Sequence, residues 1–222
     1  MNSKFYEKNN IENNQEFQEK EKKIPDLEVE FYEKKNNLPK LLLHSCCGPC
    51  STAVIERLID DYDITVFFYN PNVTDHEEYQ KRREAQQIVI DYFNNQEKYK
   101  GVLKYIEGEH DVDRFLQAAA GLEKEPEGGK RCTECFVVRL EETAKVAASE
   151  KYDFFATTLT VSPHKNFDVI GEIGKSLSFK YDVEFLNGNF KKKDGFKRSI
   201  ELSKKLELYR QNYCGCIYSV WE

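Results

Sequence analysis

The 222-residue sequence contains no apolar run that approaches the roughly 20 residues needed to span a bilayer, so we expect no membrane partner. Its amino-terminal stretch is polar and lacks the hydrophobic core of a signal peptide. A net positive charge is also missing. The formal charge of −6 argues against a protein that coats DNA, although a local basic patch can still bind nucleic acid. These absences predict a cytoplasmic protein.

Residues 1–37 lack an aliphatic pattern and are dominated by Glu, Lys, Asn and Gln. Too little apolar surface is available there to offset the entropy of ordering, so we expect a flexible polar extension. The composition changes at Leu38. We therefore predict one domain over residues 38–222, a length suited to a single sizeable core.

From Leu38 onward, short apolar runs alternate with segments of helical periodicity. The predicted strands are 40–45, 64–69, 102–106, 154–158 and 183–186, and the predicted helices are 51–60, 75–93, 112–119, 136–149, 166–178 and 196–206. This order predicts a single α/β domain with a mostly parallel sheet and helices on both faces. Ligands of such sheets collect beyond the carboxyl ends of the strands. We therefore expect Cys46-Cys47, Tyr69–Asn72 and Thr158–Lys165, which follow strands, to meet at one edge.

All seven cysteines stand in short motifs: Cys46-Cys47-Gly48-Pro49-Cys50, Cys132-Thr133-Glu134-Cys135 and Cys214-Gly215-Cys216. In a reducing compartment, clustered cysteines indicate a metal or catalysis more often than structural disulfides. The spacing of Cys132 and Cys135 puts both on one side of a helix, and the helix amino terminus is expected to shift both thiols toward thiolate. Together with Cys46 and Cys47 they supply the four thiolates that an iron–sulfur cluster usually requires.

Other interpretations stay open for these motifs. A structural zinc site also takes four cysteines, although usually from two C-x-x-C knuckles, and redox thiols without a metal are a third possibility. Gly215 permits a tight turn between Cys214 and Cys216, and a disulfide across one residue is strained and easily reduced. This favours an electron relay over further ligands or idle thiols. Cys50 is left as a second-metal ligand, a proton donor or an ordinary cysteine.

Several stretches resemble a known family: LLLHSCCGPCS, FFYNPNV, EEYQKRREA, RCTECFVVRLEETA, ATTLTVSPHKN and FKRSIELSKKLELYRQNYCGCIYS. These are similar to motifs of the cobalamin-independent epoxyqueuosine reductases of the QueH type, once called DUF208. The similarity runs from Leu41 to Ser219, and the last stretch is long and distinctive. Residues 1–37 lie outside it. No SGG-x-DS-like phosphate loop follows the first strand, so the chemistry of ATP pyrophosphatases is not expected.

The resemblance implies an oxidoreductase that acts on tRNA carrying epoxyqueuosine at the anticodon wobble position. Two-electron reduction would remove the epoxide oxygen, giving queuosine and water. It also implies a HUP-type (Rossmann-like) sheet, a 4Fe–4S cluster and a redox-active disulfide, and in some members an additional mononuclear iron. The positions for the cluster are Cys46, Cys47, Cys132 and Cys135, those for the disulfide are Cys214 and Cys216, and Cys50 is a candidate ligand of the extra iron. The electron donor is not identified.

A locally basic segment, Phe190–Lys205, carries seven Lys or Arg residues against two acidic ones and is a candidate tRNA-binding surface. The predicted tRNA contacts are Lys191, Lys192, Lys193, Lys197, Arg198 and Arg210. Tyr69, Tyr209 and Tyr213 are candidates for stacking on a splayed base, and His164 for proton donation. Two rival classes remain: another iron–sulfur thiol/disulfide redox enzyme, and a zinc-stabilised tRNA-binding protein.

Overall fold

A computed structural model describes residues 38–219. Within that range, five strands form one sheet in the order β3-β2-β1-β4-β5, and every neighbouring pair is parallel. The strands are β1 (Lys40–Ser45), β2 (Asp63–Phe68), β3 (Lys104–Glu107), β4 (Phe154–Thr157) and β5 (Glu184–Phe185). The predicted parallel α/β class is confirmed. The extension over residues 1–37 lies outside the described residues, so the division at residue 37 stays a prediction.

Six α-helices connect or follow these strands in the described part of the chain. They are α1 (Gly48–Leu58), α2 (His76–Asn94), α3 (Val112–Ala119), α4 (Lys130–Ser149), α5 (Phe167–Tyr181) and α6 (Gly195–Lys205). Helices α1, α2 and α6 pack together, and so do α3, α4 and α5. Right-handed crossovers put these two groups on opposite faces of the sheet. None of the described helices is long and apolar enough to cross a bilayer.

The apolar run of residues 41–43 forms the central strand of the sheet. Leu41, Leu42 and Leu43 of β1 have no exposed surface, because β2 and β4 flank the strand and helices cover both of its faces. Two side chains cap the amino termini of helices α2 and α3. Asp75 accepts a hydrogen bond from the Glu78 amide at 2.7 Å, and Asp111 accepts one from the Arg114 amide at 3.1 Å.

Most element boundaries differ from the sequence-based prediction by one or more residues. Helix α4 begins at Lys130 rather than Phe136, because the extended backbone of Gly129 ends the preceding loop. Strand β5 comprises Glu184 and Phe185 alone, since it lies at the edge of the sheet and pairs only with β4. The earlier start of α4 matters for the site, because it confirms that Cys132 and Cys135 lie in the first turns of a helix.

The turn after β1 is fixed by Gly48. A Cβ atom at this position would lie 2.3 Å from the backbone oxygen of Ala85, so helices α1 and α2 approach closely only because the residue is glycine. Pro49 follows in the first turn of α1, where its missing amide proton has no cost. The chain therefore passes from strand to helix within Cys46 and Cys47, and Cys50 lies in the first turn of α1.

Candidate metal centre

The loops that follow β1, β2 and β4 meet at the carboxyl edge of the sheet, as predicted. The Asn70 side chain donates to the Ser45 carbonyl at 2.9 Å, and His44 Nε2 donates to the Tyr69 carbonyl at 3.1 Å. His44 Nδ1 therefore accepts from the Thr157 hydroxyl at 2.9 Å. Burial lowers the pKa of His44 to about 4, so the imidazole is neutral and serves to join the strand ends.

Three cysteine sulfurs converge at this edge. The Sγ atoms of Cys46, Cys47 and Cys50 all lie within 4.8 Å of one another, and those of Cys46 and Cys47 are 3.7 Å apart. The Thr158 hydroxyl lies 4.0 Å from the Cys46 sulfur, and the Gln211 side-chain amide donates to the Cys47 sulfur at 2.9 Å. Cys50 follows Cys46 and Cys47 closely in the sequence. Its place in the first turn of α1 brings its sulfur beside theirs.

The three thiols do not titrate alike. Hydrogen bonds from Cys47 and Cys50, together with nearby Arg139, hold the pKa of Cys46 well below its usual value. The hydrogen bond with Cys46, together with burial, raises the pKa of Cys47 to about 12, and hydrogen bonds with Cys46 and Cys47 raise that of Cys50 well above its usual range. Cys46 is thus the member of the group most readily deprotonated. A bound cation would displace the remaining thiol protons, because metal binding to thiolates releases protons.

Cys132 and Cys135 lie in the first turns of α4. The Gly128 amide donates to the Cys132 sulfur at 3.2 Å, and Cys46 packs against the hydrophobic cluster that contains Cys132. Cys135 is buried in a separate cluster with Cys216. Burial raises the pKa of Cys135 to about 12. The prediction that the helix amino terminus would shift Cys135 toward thiolate is therefore wrong, because desolvation outweighs the helix dipole at this depth.

The carboxy-terminal cysteine pair is held beside the same edge. Both Cys214 and Cys216 are free thiols, Cys216 being buried and Cys214 half-buried. The Lys165 ammonium donates to the Cys214 sulfur at 3.0 Å, and the Lys165 side chain is only 12% exposed. Arg82 donates to the backbone carbonyl of Cys214 at 2.9 Å, which ties the tail to helix α2. The redox role of the pair stays a prediction.

One buried residue connects the three cysteine motifs. Arg139 is 2% exposed and acts electrostatically on the sulfurs of Cys135, Cys214 and Cys46. Sequence reasoning missed it, as it missed Gln211. The available signal was the spacing of Arg139 from Cys135, which puts the two on one face of a helix whose neighbouring positions are apolar.

A pocket opens beside Cys132, between the amino termini of α4 and α5. It is lined by Gly128, Cys132, Thr133, Phe136, His164, Lys165, Asn166 and Val169. His164, the predicted proton-donor candidate, is exposed at its rim. The pocket thus brings a sulfur, an ammonium group and an aromatic ring together beside the cysteine-bearing edge.

The predicted tRNA-binding residues do not form one free surface. Lys192, Lys193 and Lys197 are exposed, whereas Arg198 is engaged within the protein: its guanidinium meets both oxygens of Glu56 at 2.7 and 2.8 Å. Lys191 is half-buried and donates to a backbone carbonyl, and Arg210 is exposed and lies over the Phe196 ring. The exposed lysines thus remain the accessible part of the basic segment.

Of the aromatic candidates, Tyr69 is placed where it cannot receive a base. Its side chain is 2% exposed, stacks on Phe67 and accepts a hydrogen bond from Arg114. The stacking role considered for Tyr69 is therefore wrong, because its ring, directly after β2, is buried in the core. Tyr209, 38% exposed, and the half-buried Tyr213 remain at the surface beside the tail.

Comparison with known proteins assigns the family. The model of the family described as "Epoxyqueuosine reductase QueH" matches residues 41–222. The chain belongs to this family. A relative of that name from Staphylococcus epidermidis is 43% identical over 193 residues, covering 86% of this chain and 80% of the relative. One from Streptococcus pyogenes serotype M1 is 39% identical, covering 86% and 74%, and one from Thermotoga maritima is 37% identical, covering 82% and 91%.

Proposed function

We propose that this member of the QueH family is an epoxyqueuosine reductase that acts in the cytoplasm on tRNA. The reaction removes the epoxide oxygen of epoxyqueuosine at the anticodon wobble position. Two electrons and two protons convert the epoxide to the alkene of queuosine, and the oxygen leaves as water. The observation that carries this proposal is the convergence of three sulfurs at the ligand-binding edge of the sheet in a chain whose family is known by that activity.

We propose further that Cys46, Cys47, Cys132 and Cys135 hold a 4Fe–4S cluster. Thiolates are the ligands that such clusters take, and all four residues lie in or against the core beneath the carboxyl edge. The second amino group of the Arg139 guanidinium is buried and has no hydrogen-bond partner among residues 38–219. A polar atom left unpaired at that depth is expected where an anionic group belongs. The residues present therefore fit the cluster.

The chain's own residues supply the remaining parts of the reaction. A bound iron site would act as a Lewis acid toward the epoxide oxygen and pass electrons to it. Lys165 holds an ammonium proton beside both the pocket and the Cys214 sulfur, which suits the delivery of a proton to a developing alkoxide. Cys214 and Cys216 supply two electrons when they become a disulfide. An external donor of unidentified nature would then reduce the pair again.

The geometry of Cys46, Cys47 and Cys50 also favours a second possibility for the metal. Sulfurs of a tetrahedral site with bonds of about 2.3 Å lie about 3.8 Å apart, close to the 3.7 Å between Cys46 and Cys47. These residues thus suit a mononuclear ion, either an iron beside the cluster with Cys50 as a ligand or a zinc that stabilises a tRNA-binding protein. Colour separates the two, because zinc thiolates are colourless.

The decisive experiment has two parts. The full chain is purified without oxygen and analysed for iron, acid-labile sulfide and zinc. It is then incubated with tRNA carrying epoxyqueuosine and a chemical reductant, and the nucleosides are identified by mass spectrometry. A brown protein that forms queuosine supports the proposal. A colourless protein with one zinc per chain and no conversion would favour the tRNA-binding alternative.

Two substitutions assign roles to the cysteines. Cys132→Ala is expected to bleach the protein and abolish turnover, because one ligand is lost. Cys214→Ser is expected to keep the colour and lose turnover with the natural donor. Full iron content in the first variant or unchanged turnover in the second would remove that residue from its proposed role.

The basic segment is tested by charge reversal. Replacing Lys192, Lys193 and Lys197 by Glu should weaken tRNA binding, and the dependence of affinity on salt should become shallower, because fewer counterions are released. The control is Arg198→Gln, which removes one positive charge from an internal ion pair instead of from a free contact. Equal affinity of the triple variant and the unaltered protein across salt concentrations would exclude this surface.

A further inference from the structure

The side chain of Arg139 occupies a place where a cation is expected to be unfavourable. It is 2% exposed, and none of the ion pairs formed among residues 38–219 involves it. A charge taken out of water without a carboxylate partner is costly unless another anion compensates it. Because arginine does not lose its proton in proteins, the side chain cannot escape this cost by becoming neutral.

The local contacts of Arg139 account for only part of its hydrogen-bonding capacity. Its Nε donates to the carbonyl of Cys135, one helical turn earlier, at 3.2 Å, and its guanidinium lies 5.7 Å from the centre of the Phe136 ring. These contacts orient the planar group. Its Nη2 atom finds no partner in the described part of the chain. An oriented donor that remains unpaired is available to an acceptor outside the described residues.

Three cysteines from separate parts of the chain lie near the guanidinium. Cys135 comes from α4, Cys46 from the end of β1 and Cys214 from the carboxy-terminal tail, and all three act electrostatically on Arg139. Arg139 thus stands where the three cysteine motifs meet, although it belongs to none of them.

We propose that Arg139 is the buried counter-charge of the metal centre, donating a hydrogen bond from Nη2 to a sulfur of the bound cluster and stabilising its reduced state. This inference rests on the proposed cluster. Reduction adds one electron to the cluster from an external one-electron reductant, and no bond at Arg139 forms or breaks. Hydrogen bonds to the sulfurs and nearby charge are established means of setting cluster potentials. Arg139 is therefore a positioning residue.

The test compares reduction potentials rather than activity. The full-length protein, Arg139→Gln, Arg139→Lys and the control Arg198→Gln are purified without oxygen and titrated with dithionite, with the reduced cluster followed by electron paramagnetic resonance. We expect Arg139→Gln to titrate at a more negative potential than the unaltered protein. Arg139→Lys, which keeps the charge, should shift less. The control loses the same charge at the exposed pair with Glu56 and should not shift.

A second measurement needs no substitution at Arg139. Protein labelled with nitrogen-15 arginine is reduced, and pulsed paramagnetic resonance is used to detect magnetic coupling between the cluster and an arginine nitrogen. We expect a nitrogen-15 coupling in the labelled protein, which the unlabelled protein cannot show. If Arg139→Gln does not fold, this measurement decides alone.

The outcomes separate the inference from the function on which it rests. A colourless, iron-free wild-type protein would overturn the cluster and this inference together. A wild-type cluster with no arginine coupling, or an unchanged potential in a folded Arg139→Gln protein, would overturn the role of Arg139 and leave the proposed reductase intact.

Discussion

Replacing Arg82 by Met should destabilise the protein strongly, because Arg82 is half of a buried ion pair. Its side chain is 2% exposed, that of Glu78 is 6% exposed, and the two meet at 2.7 Å. The two terminal nitrogens of Arg82 donate to the backbone carbonyls of Tyr213 and Cys214. One residue therefore balances a buried carboxylate and holds the carboxy-terminal tail against helix α2.

The size of the effect follows from what is left behind. Removing one partner of a buried ion pair typically costs about 3–5 kcal/mol, because the remaining charge stays desolvated. Glu78 keeps the hydroxyl of Tyr209, which places the expected loss near the lower end of that range. With a denaturant slope of about 2 kcal/mol per molar, a loss of about 3 kcal/mol lowers the urea midpoint by about 1.5 M.

The assay is urea unfolding of the metal-free, thiol-reduced protein, followed by circular dichroism. Arg83→Met is the matched control. Arg83 is the next residue of the same helix, but its pair with Glu107 is exposed and should contribute at most about 1 kcal/mol. The double variant Arg82→Met/Glu78→Gln should lose less than the sum of the single losses, because no buried charge is then left unpaired.

The tail gives a second readout of the same substitution. Without Arg82, mass-spectrometric mapping should show faster thiol labelling at Cys214, since its backbone carbonyl has lost an anchor. An Arg82→Met protein within 1 kcal/mol of the Arg83→Met control, with unchanged labelling of Cys214, would refute the reasoning.

Three further substitutions test the surroundings of the site. Gly215→Ala should cost about 1–3 kcal/mol in urea unfolding, because Gly215 has φ +108 and an added Cβ would lie 2.9 Å from Arg82; an unchanged midpoint would contradict this. Lys165→Met should slow the alkylation of Cys214 by iodoacetamide, because the ammonium 3.0 Å from the sulfur is lost, and an equal rate would show that the contact is inert. Gly48→Ala should cost about 1–3 kcal/mol in the same unfolding assay, since its Cβ would meet the backbone of α2 at 2.3 Å, and an unaltered stability would exclude the close approach.

Much of the fold could be predicted because local signals and burial agree. Strand β1 has the predicted bounds Lys40–Ser45, since an apolar run followed by Gly48-Pro49 allows few other structures. Helix α3, Val112–Ala119, is also as predicted, because Asp111 caps it. The start of α4 was missed because Lys130 and Arg131 begin a helix without apolar periodicity. Periodicity marks the buried face of a helix and not its first turn.

The site was predictable only where order along the chain determines position in space. Residues that follow parallel strands must meet at one edge, which is why the approach of Cys46 to Thr158 could be expected. The sequence did not show that Cys135 is buried. Desolvation at this position raises the pKa of its thiol, which is opposite to the shift that the helix dipole alone predicts. Gln211, whose amide contacts the Cys47 sulfur, comes from the irregular tail, and no periodic signal places such a segment.

The charges around the cysteines distinguish an anionic centre from a set of idle thiols. The protein as a whole has a formal charge of −6, yet Arg82, Arg139 and Lys165 are all largely withdrawn from solvent at the cysteine-bearing edge. Two of these three cations have a carboxylate partner: Arg82 pairs with Glu78, and Lys165 lies 3.4 Å from Glu127. The cysteines near Arg139 compensate its charge only to the extent that they are thiolates, and Cys46, whose pKa is held well below its usual value, does so in part. A metal–thiolate assembly with net negative charge would compensate this charge more fully, so the buried cation supports the proposed metal centre more strongly than the count of cysteines does.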